Sequence, residues 1–199
     1  MVLNHILGLY AHPKDEWQTI KKQHESLIYS LMHILILALI PAICGYYAAA
    51  HIGWVISVGE PIKTTQSSAQ LMAVAMYISL VSGVLLLAYL IQWMAKTFDS
   101  KPSYVQSLEL AAYTATPMLM VGLAALFPVL WFLTLAGLAA TSYSIYLLYS
   151  GVPIMMNIPE EKGFIYASSV VTCGLVLLVA IMAFSAVMWT MGFGPEYVS

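Results

Sequence analysis

The chain has 199 residues, of which 61% are hydrophobic and only 8% are charged, and its formal net charge is -2. A soluble domain carries about 25% charged residues, so this composition excludes an ordinary soluble fold and indicates a protein whose solvent is lipid. All seven basic residues are lysines, which disfavours the bidentate phosphate and carboxylate clamps that arginine forms. No basic patch is available for nucleic acid, so we expect no nucleic-acid partner.

Residues 1–25 are polar and are predicted to form a cytoplasmic, amphipathic N-terminal segment. Pro13 suits the first position of a helix, and Asp15 and Glu16 suit its first turn. From Trp17 onward, apolar residues follow at helical spacing. We therefore expect a short interfacial helix that lies on the inner leaflet ahead of the first span.

Five apolar stretches follow within residues 26–192, the predicted transmembrane domain. A helix needs about 20 residues to cross about 30 Å of hydrocarbon, and each stretch has that length. The predicted spans are approximately residues 26–50, 70–94, 104–126, 129–149 and 164–189. The fold class predicted from this pattern is all-α: a polytopic integral membrane bundle of five transmembrane helices, preceded by the short interfacial helix.

Lysine placement predicts the orientation of this bundle. With the N-terminus inside, six of the seven lysines face the cytoplasm and only Lys63 lies outside, as the positive-inside rule favours. An odd number of spans then places the C-terminus outside. The five tryptophans supply independent support for the span boundaries, because each falls at a predicted membrane interface, where indole is favoured.

Ionisable side chains inside a membrane are costly and therefore indicate function. His33 in the first span and Glu109 in the third are the two candidates, both near the predicted cytoplasmic end. A kink at Pro117, beside tyrosine and threonine side chains, is interpreted either as a purely structural kink or as a polar pocket. The candidate ion-site, substrate-site or polar-cluster residues are Glu25, Tyr29, His33, Glu109, Tyr113, Thr116 and Pro117. They are interpreted either as a metal site or proton relay or as a hydrogen-bonded structural cluster, and the identity of any metal is left open.

The segment 150–163, SGVPIMMNIPEEKG, is the second candidate region. Pro153 and Pro159 are predicted to prevent a regular helix there, and Glu160 and Glu161 add negative charge. One interpretation is an aromatic belt followed by a simple loop, and the other is a cytoplasmic docking surface formed together with the N-terminal helix. The candidate partner-surface residues are Trp17, Asp99, Tyr149, Pro153, Asn157, Glu160 and Glu161.

Catalytic signatures are absent from the sequence. It has no HExxH spacing, no glycine-rich phosphate loop, no CxxC pair and no nucleophile elbow. Cys44 and Cys173 lie in separate apolar runs and are interpreted as free thiols. We therefore expect a non-enzymatic protein with no catalytic residues and no cofactor.

Six short segments, taken in their order and spacing, carry a resemblance to a known family. They are LYAHPKDEW (9–17), IPAIC (40–44), IGW (52–54), YTATP (113–117), YLLYSGVP (146–153) and NIPEEKG (157–163). These segments resemble the bacterial branch of the Yip family, the Ypt/Rab-interacting membrane proteins. The resemblance implies a five-span bundle with a cytoplasmic N-terminus in a bacterial inner membrane. Eukaryotic members are associated with vesicle traffic and small GTPases and carry a longer cytosolic N-terminal region, whereas about 25 residues precede the first span here.

Two functions are compatible with these features. The leading hypothesis is a non-enzymatic inner-membrane protein of the Yip type that organises lipid or protein partners at its cytoplasmic face. The alternative is a small transporter or channel for an ion, a metal or a lipid-like substrate, with the polar cluster at its inner mouth. The expected partner is the lipid bilayer, with a protein partner or a homo-oligomer as further alternatives.

Overall fold

The computed structural model describes residues 8–23, 26–55 and 60–198. Within those ranges the chain is helical, and β-structure is confined to isolated bridges at one end. A short helix, α1 (Pro13–Gln23), precedes five helices that are long and apolar enough to cross a membrane. The predicted all-α fold with five membrane-spanning helices is confirmed.

The five long helices have the following bounds. They are α2 (Leu27–Tyr47, continued by a π-helical turn at Ala48–Ile52), α3 (Gln66–Ala95, then a 3-10 turn at Lys96–Phe98), α4 (Tyr104–Met120, then a 3-10 segment at Val121–Leu126), α5 (Leu130–Met156) and α6 (Glu160–Met188, then a π-helical turn at Trp189–Phe193). At 1.5 Å of rise per residue, each helix can cross about 30 Å of hydrocarbon.

The expectation that Pro153 prevents a regular helix is wrong. Pro153 lies inside α5, which continues to Met156 and ends at Asn157 in the left-handed conformation (φ 54°). A proline this close to a helix end removes a single backbone hydrogen bond, so the helix tolerates it. The Asn157 N–H bonds the Pro153 carbonyl, and Lys21 Nζ donates to the Ile154 carbonyl at 2.7 Å. These two bonds satisfy carbonyls that the helix end would otherwise leave open.

Helix α4 forms the centre of the bundle. In the apolar stretch of α4, 56% of the residues are buried inside the protein, whereas the corresponding share in α6 is 6%. It packs against α2, α3 and α5, while α6 packs on the outside against α5 and α3. Buried alanines, such as Ala111 and Ala112, let neighbouring backbones approach α4 closely. Neighbouring helices consequently enclose most of the polar side chains on α4.

Helix α1 is the predicted short amphipathic helix, and its apolar side faces protein. Trp17 and Ile20 are fully buried, and the helix packs against α5. The sequence predicts that this side meets the inner leaflet. An apolar helix face suits lipid and protein equally well, so the amphipathic pattern does not distinguish the two. Helix α1 instead covers one end of the bundle, called here the α1 end.

The opposite end of the bundle is tied together by backbone hydrogen bonds. Trp54 pairs with Ile62 within the loop that follows α2, and Thr64 of the same loop pairs with Tyr197 of the C-terminal segment. The N-terminal helix and the C-terminal segment therefore lie at opposite ends, as five spans require. Six lysines lie on α1 or at the α1 ends of α3, α4 and α6, whereas Lys63 lies at the opposite end.

Candidate functional site

A histidine, a tyrosine and a threonine meet inside the bundle where α2 packs against α4. His33 Nε2 lies 2.9 Å from Thr116 Oγ1, and the His33 ring centroid lies 4.7 Å from that of Tyr113. Thr116 Oγ1 also lies 3.1 Å from the Ala112 carbonyl oxygen, to which a hydroxyl can donate. The tautomer of the His33 ring sets which partner donates in the bond between His33 and Thr116.

Glu109 and Pro117 belong to the same buried region. Glu109 is only 1% exposed and lies one helical turn before Tyr113, on the same face of α4. Pro117 is also buried and directly follows Thr116. The structure thus brings together five of the seven predicted cluster residues in the α1 half of the bundle. We call His33, Glu109, Tyr113, Thr116 and Pro117 the buried cluster.

The other two predicted cluster residues have different outcomes. Tyr29 is 59% exposed on the lipid side of α2, so its assignment to the cluster is wrong. His33 lies at one edge of the buried stripe of α2, and Tyr29 lies about 40° further round the helix, beyond that edge. Glu25 lies outside the described residues.

Four further buried hydroxyls lie in the bundle interior: Ser30, Ser107, Thr114 and Ser144. The sequence pointed to Thr114 as a neighbour of the Pro117 kink, whereas sequence reasoning missed the three serines. Ser30 lies three residues before His33, and Ser107 lies seven before Thr114, so each pair shares a helix face. That spacing was visible in the sequence. Hydroxyls in apolar helices, however, commonly bond their own backbone four residues earlier, so spacing alone did not single them out.

Trp17 closes the α1 end of the buried cluster. Its ring packs edge-on against Tyr113, with centroids 6.4 Å apart, and its Nε1–H donates to Ser150 Oγ at 3.2 Å. Gly151 permits this approach, because a Cβ there would lie 2.6 Å from Trp17 Cε2. Trp17 is fully buried, so it is not part of an exposed partner surface.

The other predicted partner-surface residues lie at the α1 end, with different exposures. Asn157, Glu160, Glu161 and Asp99 are exposed. Tyr149 and Pro153 are half-buried. The Tyr149 hydroxyl lies 2.7 Å from Ser168 Oγ, and its ring packs against Phe164 at 5.2 Å. These tyrosine contacts hold the end of α5 against the start of α6.

Two surface concavities lie between α1 and the helices beneath it. One, of about 770 Å³, lies between Gln18, Lys22 and Asn157. The other, of about 420 Å³, lies between Lys14, Tyr149 and Glu160. Gln18, Pro153 and Ile154 line both. We call these joined concavities the α1 groove.

Sequence reasoning missed the α1 residues of this groove, although Lys14 and Lys22 were visible as charges. Their role depends on how α1 docks. Lys21 Nζ reaches Asn157 Oδ1 at 3.2 Å as well as the Ile154 carbonyl. The groove is lined by charged and polar side chains from α1, from the end of α5 and from the start of α6, so α1 meets elements that are distant from it in sequence.

Charge pairing at the α1 end also holds the α3–α4 turn against α6. Lys162 Nζ donates to Asp99 Oδ2 at 2.7 Å, with both side chains largely in solvent. This hydrogen bond and the charge of Lys162 lower the pKa of Asp99 below its usual 3.8. A separate contact ties the residues before α1 to α5: the Tyr10 ring stacks on the Tyr143 ring, with centroids 5.0 Å apart. Burial, and secondarily Tyr143, raise the pKa of Tyr10.

The described part of the chain contains no set of ligands that would support a metal site in the buried cluster. No three histidine, cysteine, aspartate or glutamate side chains come together there. Cys44 and Cys173 are free thiols, and Cys173 contacts the Met94 sulfur at 3.7 Å. What the cluster offers chemically is a histidine hydrogen bond and a carboxyl group enclosed by apolar helices.

Five membrane-spanning helices, with a docked amphipathic helix over a buried polar cluster, define a multi-pass integral membrane protein. The chain belongs to the Yip1 family: the Yip1 domain matches residues 7–181. It is 33% identical to the "Inner membrane protein YohC" of two strains of Escherichia coli, over 96% of this chain and 98% of each relative. The expected inner-membrane localisation agrees with that description. No solved structure matches the chain.

Proposed function

We propose that this Yip1-family protein is a non-enzymatic membrane scaffold that binds a protein partner at its α1 end. The observation that carries the proposal is the α1 groove, a concave surface that exists only while α1 is docked on α5. Its walls present lysines on one side and Glu160 on the other. Mixed charge around a concavity favours a polypeptide segment over a purely apolar ligand.

Rigid docking of α1 supports this assignment. Trp17 and Ile20 hold the helix against the bundle, so the exposed residues of α1 keep a fixed position relative to α5. Preorganised surfaces bind partners with a smaller entropy cost than mobile segments do. The lysine distribution predicts that this end faces the cytoplasm, and the proposed partner is therefore a cytoplasmic or cytoplasm-exposed protein.

Site-specific photo-crosslinking in bacterial membranes tests the proposal. A photoreactive amino acid replaces Gln18 in the groove or, as a control, Glu60 at the opposite end; both positions are exposed. We expect a distinct crosslinked polypeptide from position 18 that position 60 does not yield. Reversing the charge of the groove with Glu160→Lys should remove that product, because the partner's complementary charge would meet repulsion.

The matched control is Glu60→Lys, which reverses an exposed carboxylate outside the groove. The position-18 product should persist in that variant. Crosslinks to lipid alone at position 18, or equal loss of the product in both charge reversals, would contradict the proposed partner surface.

A transporter or channel is the second candidate function, and the buried cluster favours it. A histidine and a glutamate enclosed by membrane-spanning helices are costly, and such residues mark ion or proton pathways in many membrane proteins. Glu109 lies on α4, and His33 lies on the side of α2 that faces α4. Both are in the α1 half of the bundle. A pathway through them would require α1 to move, because Trp17 packs over Tyr113.

Liposome flux assays decide between the two candidates. The purified full chain would be assayed with a panel of protons, monovalent cations and divalent cations. A transporter should show flux that His33→Ala and Glu109→Gln abolish. The control is Thr134→Val, which removes an exposed hydroxyl group from α5. No flux above empty liposomes would exclude the transport function for that panel.

A further inference from the structure

A cavity of about 390 Å³ lies at the end of the bundle opposite α1. It is bounded by α2, α3 and the 3-10 segment that ends α4, and the loop after α2 covers it through Trp54 and Thr64. Ligand pockets commonly have volumes of about 300–1,000 Å³. Neither the buried cluster nor the α1 groove shares a residue with this cavity, so it is a separate feature of the fold.

Small residues and a proline explain why the cavity forms. At its floor, Gly122 packs directly on Pro41: a Cβ on this glycine would lie 2.5 Å from the Pro41 Cα. Above the floor, the lining includes Gly45 and Ala49 from the α2 side and Ala73 from α3, so this part of the wall carries little side-chain volume. The close contact between Gly122 and Pro41 therefore closes the cavity on one side, and the small residues leave the space above it open.

The chemistry of the lining selects an apolar ligand. Met72, Met76 and Met118 supply flexible thioether side chains, which adapt to irregular apolar shapes. The lining hydroxyls already have partners: Thr64 donates to the Ala49 carbonyl, and the Tyr46 hydroxyl accepts from Gln66 at 3.1 Å. Buried water needs two to four polar partners, and this lining does not provide them.

The cavity adjoins a second concavity on the surface that meets the bilayer. The second concavity, of about 540 Å³, runs between α2 and α3 and shares Tyr46 and Ala73 with the cavity. Its outer walls include Leu39, Ile43 and Val74, all more than 40% exposed on the lipid-facing side. The side chains of Tyr46 and Ala73, which line both concavities, are therefore all that an apolar chain from the surrounding leaflet would have to pass to reach the cavity from the side.

Polar groups lie where a lipid headgroup would be. The Tyr46–Gln66 hydrogen bond is at the membrane-surface side of the cavity, and His51 packs against Tyr46 at 5.9 Å. Lys63 is exposed and directly precedes Thr64 in the covering loop. Its ammonium group supplies a positive charge at this end of the bundle. Phosphate groups of lipids favour such cationic and hydrogen-bonding neighbours at interface depth.

We propose that this cavity binds one acyl chain of a phospholipid drawn from the surrounding leaflet, with its headgroup beside Lys63 and Gln66. The lipid is a bound ligand, distinct from the bilayer that coats the outer helix faces. The site is independent of the proposed partner surface at the α1 end, so either proposal can fail without the other.

Photo-labelling in vesicles tests the site. The purified full chain is reconstituted in phosphatidylethanolamine and phosphatidylglycerol vesicles that contain a trace of phospholipid with a diazirine in one acyl chain. Mass spectrometry then maps the label. We expect label on the segment Val121–Leu126 in the wild type and its loss in Ala73→Phe, whose ring would occupy the wall that the two concavities share.

Ala75→Phe is the matched control, because Ala75 is exposed on α3 and lines neither concavity. Its labelling should equal that of the wild type. Met76→Ala enlarges the cavity, so this variant should keep or increase the label. This second variant keeps the test decisive even if Ala73→Phe fails to fold. Equal labelling in Ala73→Phe and Ala75→Phe, reduced labelling in Met76→Ala, or labelling by a photoreactive free fatty acid but not by the phospholipid would overturn the proposal.

Discussion

Single residues set how closely the elements of this protein approach one another. Gly151 and Gly137 both lie on α5, yet their surroundings differ. A Cβ on Gly151 would meet Trp17 and Leu110 at under 3 Å, whereas nothing lies within 4 Å of a Cβ on Gly137. The glycine at 151 is therefore a packing requirement, and the one at 137 is not.

We expect Gly151→Ala to destabilise the protein by about 1–3 kcal/mol, the usual cost of overpacking a closed contact. Gly137→Ala should be neutral or stabilising by up to about 1 kcal/mol, because alanine is the better helix former. Unfolding of the purified protein in detergent, followed by tryptophan fluorescence, measures both. Equal destabilisation by the two substitutions would contradict the contact between Trp17 and Gly151.

The Asp99–Lys162 pair predicts a pH effect on the acid side. Since Lys162 lowers the pKa of Asp99 below 3.8 in the folded protein, folding favours the ionised carboxylate. The pair therefore stabilises the fold at pH values above the usual aspartate pKa, and that contribution is lost as the pH falls through the lowered value. The pair is exposed, so the effect on stability should be small.

Carboxyl-carbon NMR of the protein in micelles checks this sign. Lys162→Gln should raise the pKa of Asp99 towards 3.8, because the hydrogen bond and the positive charge are both removed. Lys101→Gln is the control, since it removes an exposed lysine without this bond. An unchanged Asp99 pKa in Lys162→Gln would show that the ion pair does not persist in solution.

At the scale of elements, α1 shows how an amphipathic pattern leaves its partner open. The sequence predicts the helix correctly from Pro13 and the acidic first turn. The same apolar face could meet lipid headgroups or protein, because both environments accept Trp17. Docking is decided by the matching surface of α5, where Gly151 and Ser150 provide space and a hydrogen-bond acceptor.

Trp17→Ala should detach or loosen α1. Truncating a fully buried tryptophan costs about 3–5 kcal/mol, and the substitution also removes the bond to Ser150. Hydrogen exchange of residues 13–23 should accelerate strongly while exchange in α4 changes little. Trp93→Ala is the matched control, since Trp93 is 64% exposed. Unchanged exchange in α1 after Trp17→Ala would contradict the docked arrangement.

At the scale of the whole molecule, the unequal distribution of lysine predicts how the bundle sits in the membrane. Six lysines lie at the α1 end and Lys63 lies at the other. The positive-inside rule therefore predicts a cytoplasmic α1 end. The proposed partner surface and the proposed lipid site would then lie on opposite sides of the same membrane, in contact with different leaflets and compartments.

Single-cysteine labelling tests this orientation. In a background with Cys44→Ala and Cys173→Ala, Lys63→Cys should react with a membrane-impermeant maleimide in cells with a permeabilised outer membrane. Lys101→Cys, also exposed, should react only after the inner membrane is disrupted. The reverse pattern would place the α1 end outside and would move the proposed partner to that side.

The sequence alone determined the number of spans, their approximate positions and the presence of α1, since these depend on local hydrophobicity and helix-start residues. It also identified His33 and Glu109, because an ionisable residue in an apolar run is conspicuous by itself. Tertiary structure decided which side chains lie against one another. It leaves Tyr29 outside the buried cluster, buries Trp17 between α1 and α5, and forms the cavity at the end of the bundle opposite α1. These outcomes depend on the angular position of each residue relative to helices far away in sequence, and a hydrophobic pattern along one chain segment does not carry that information.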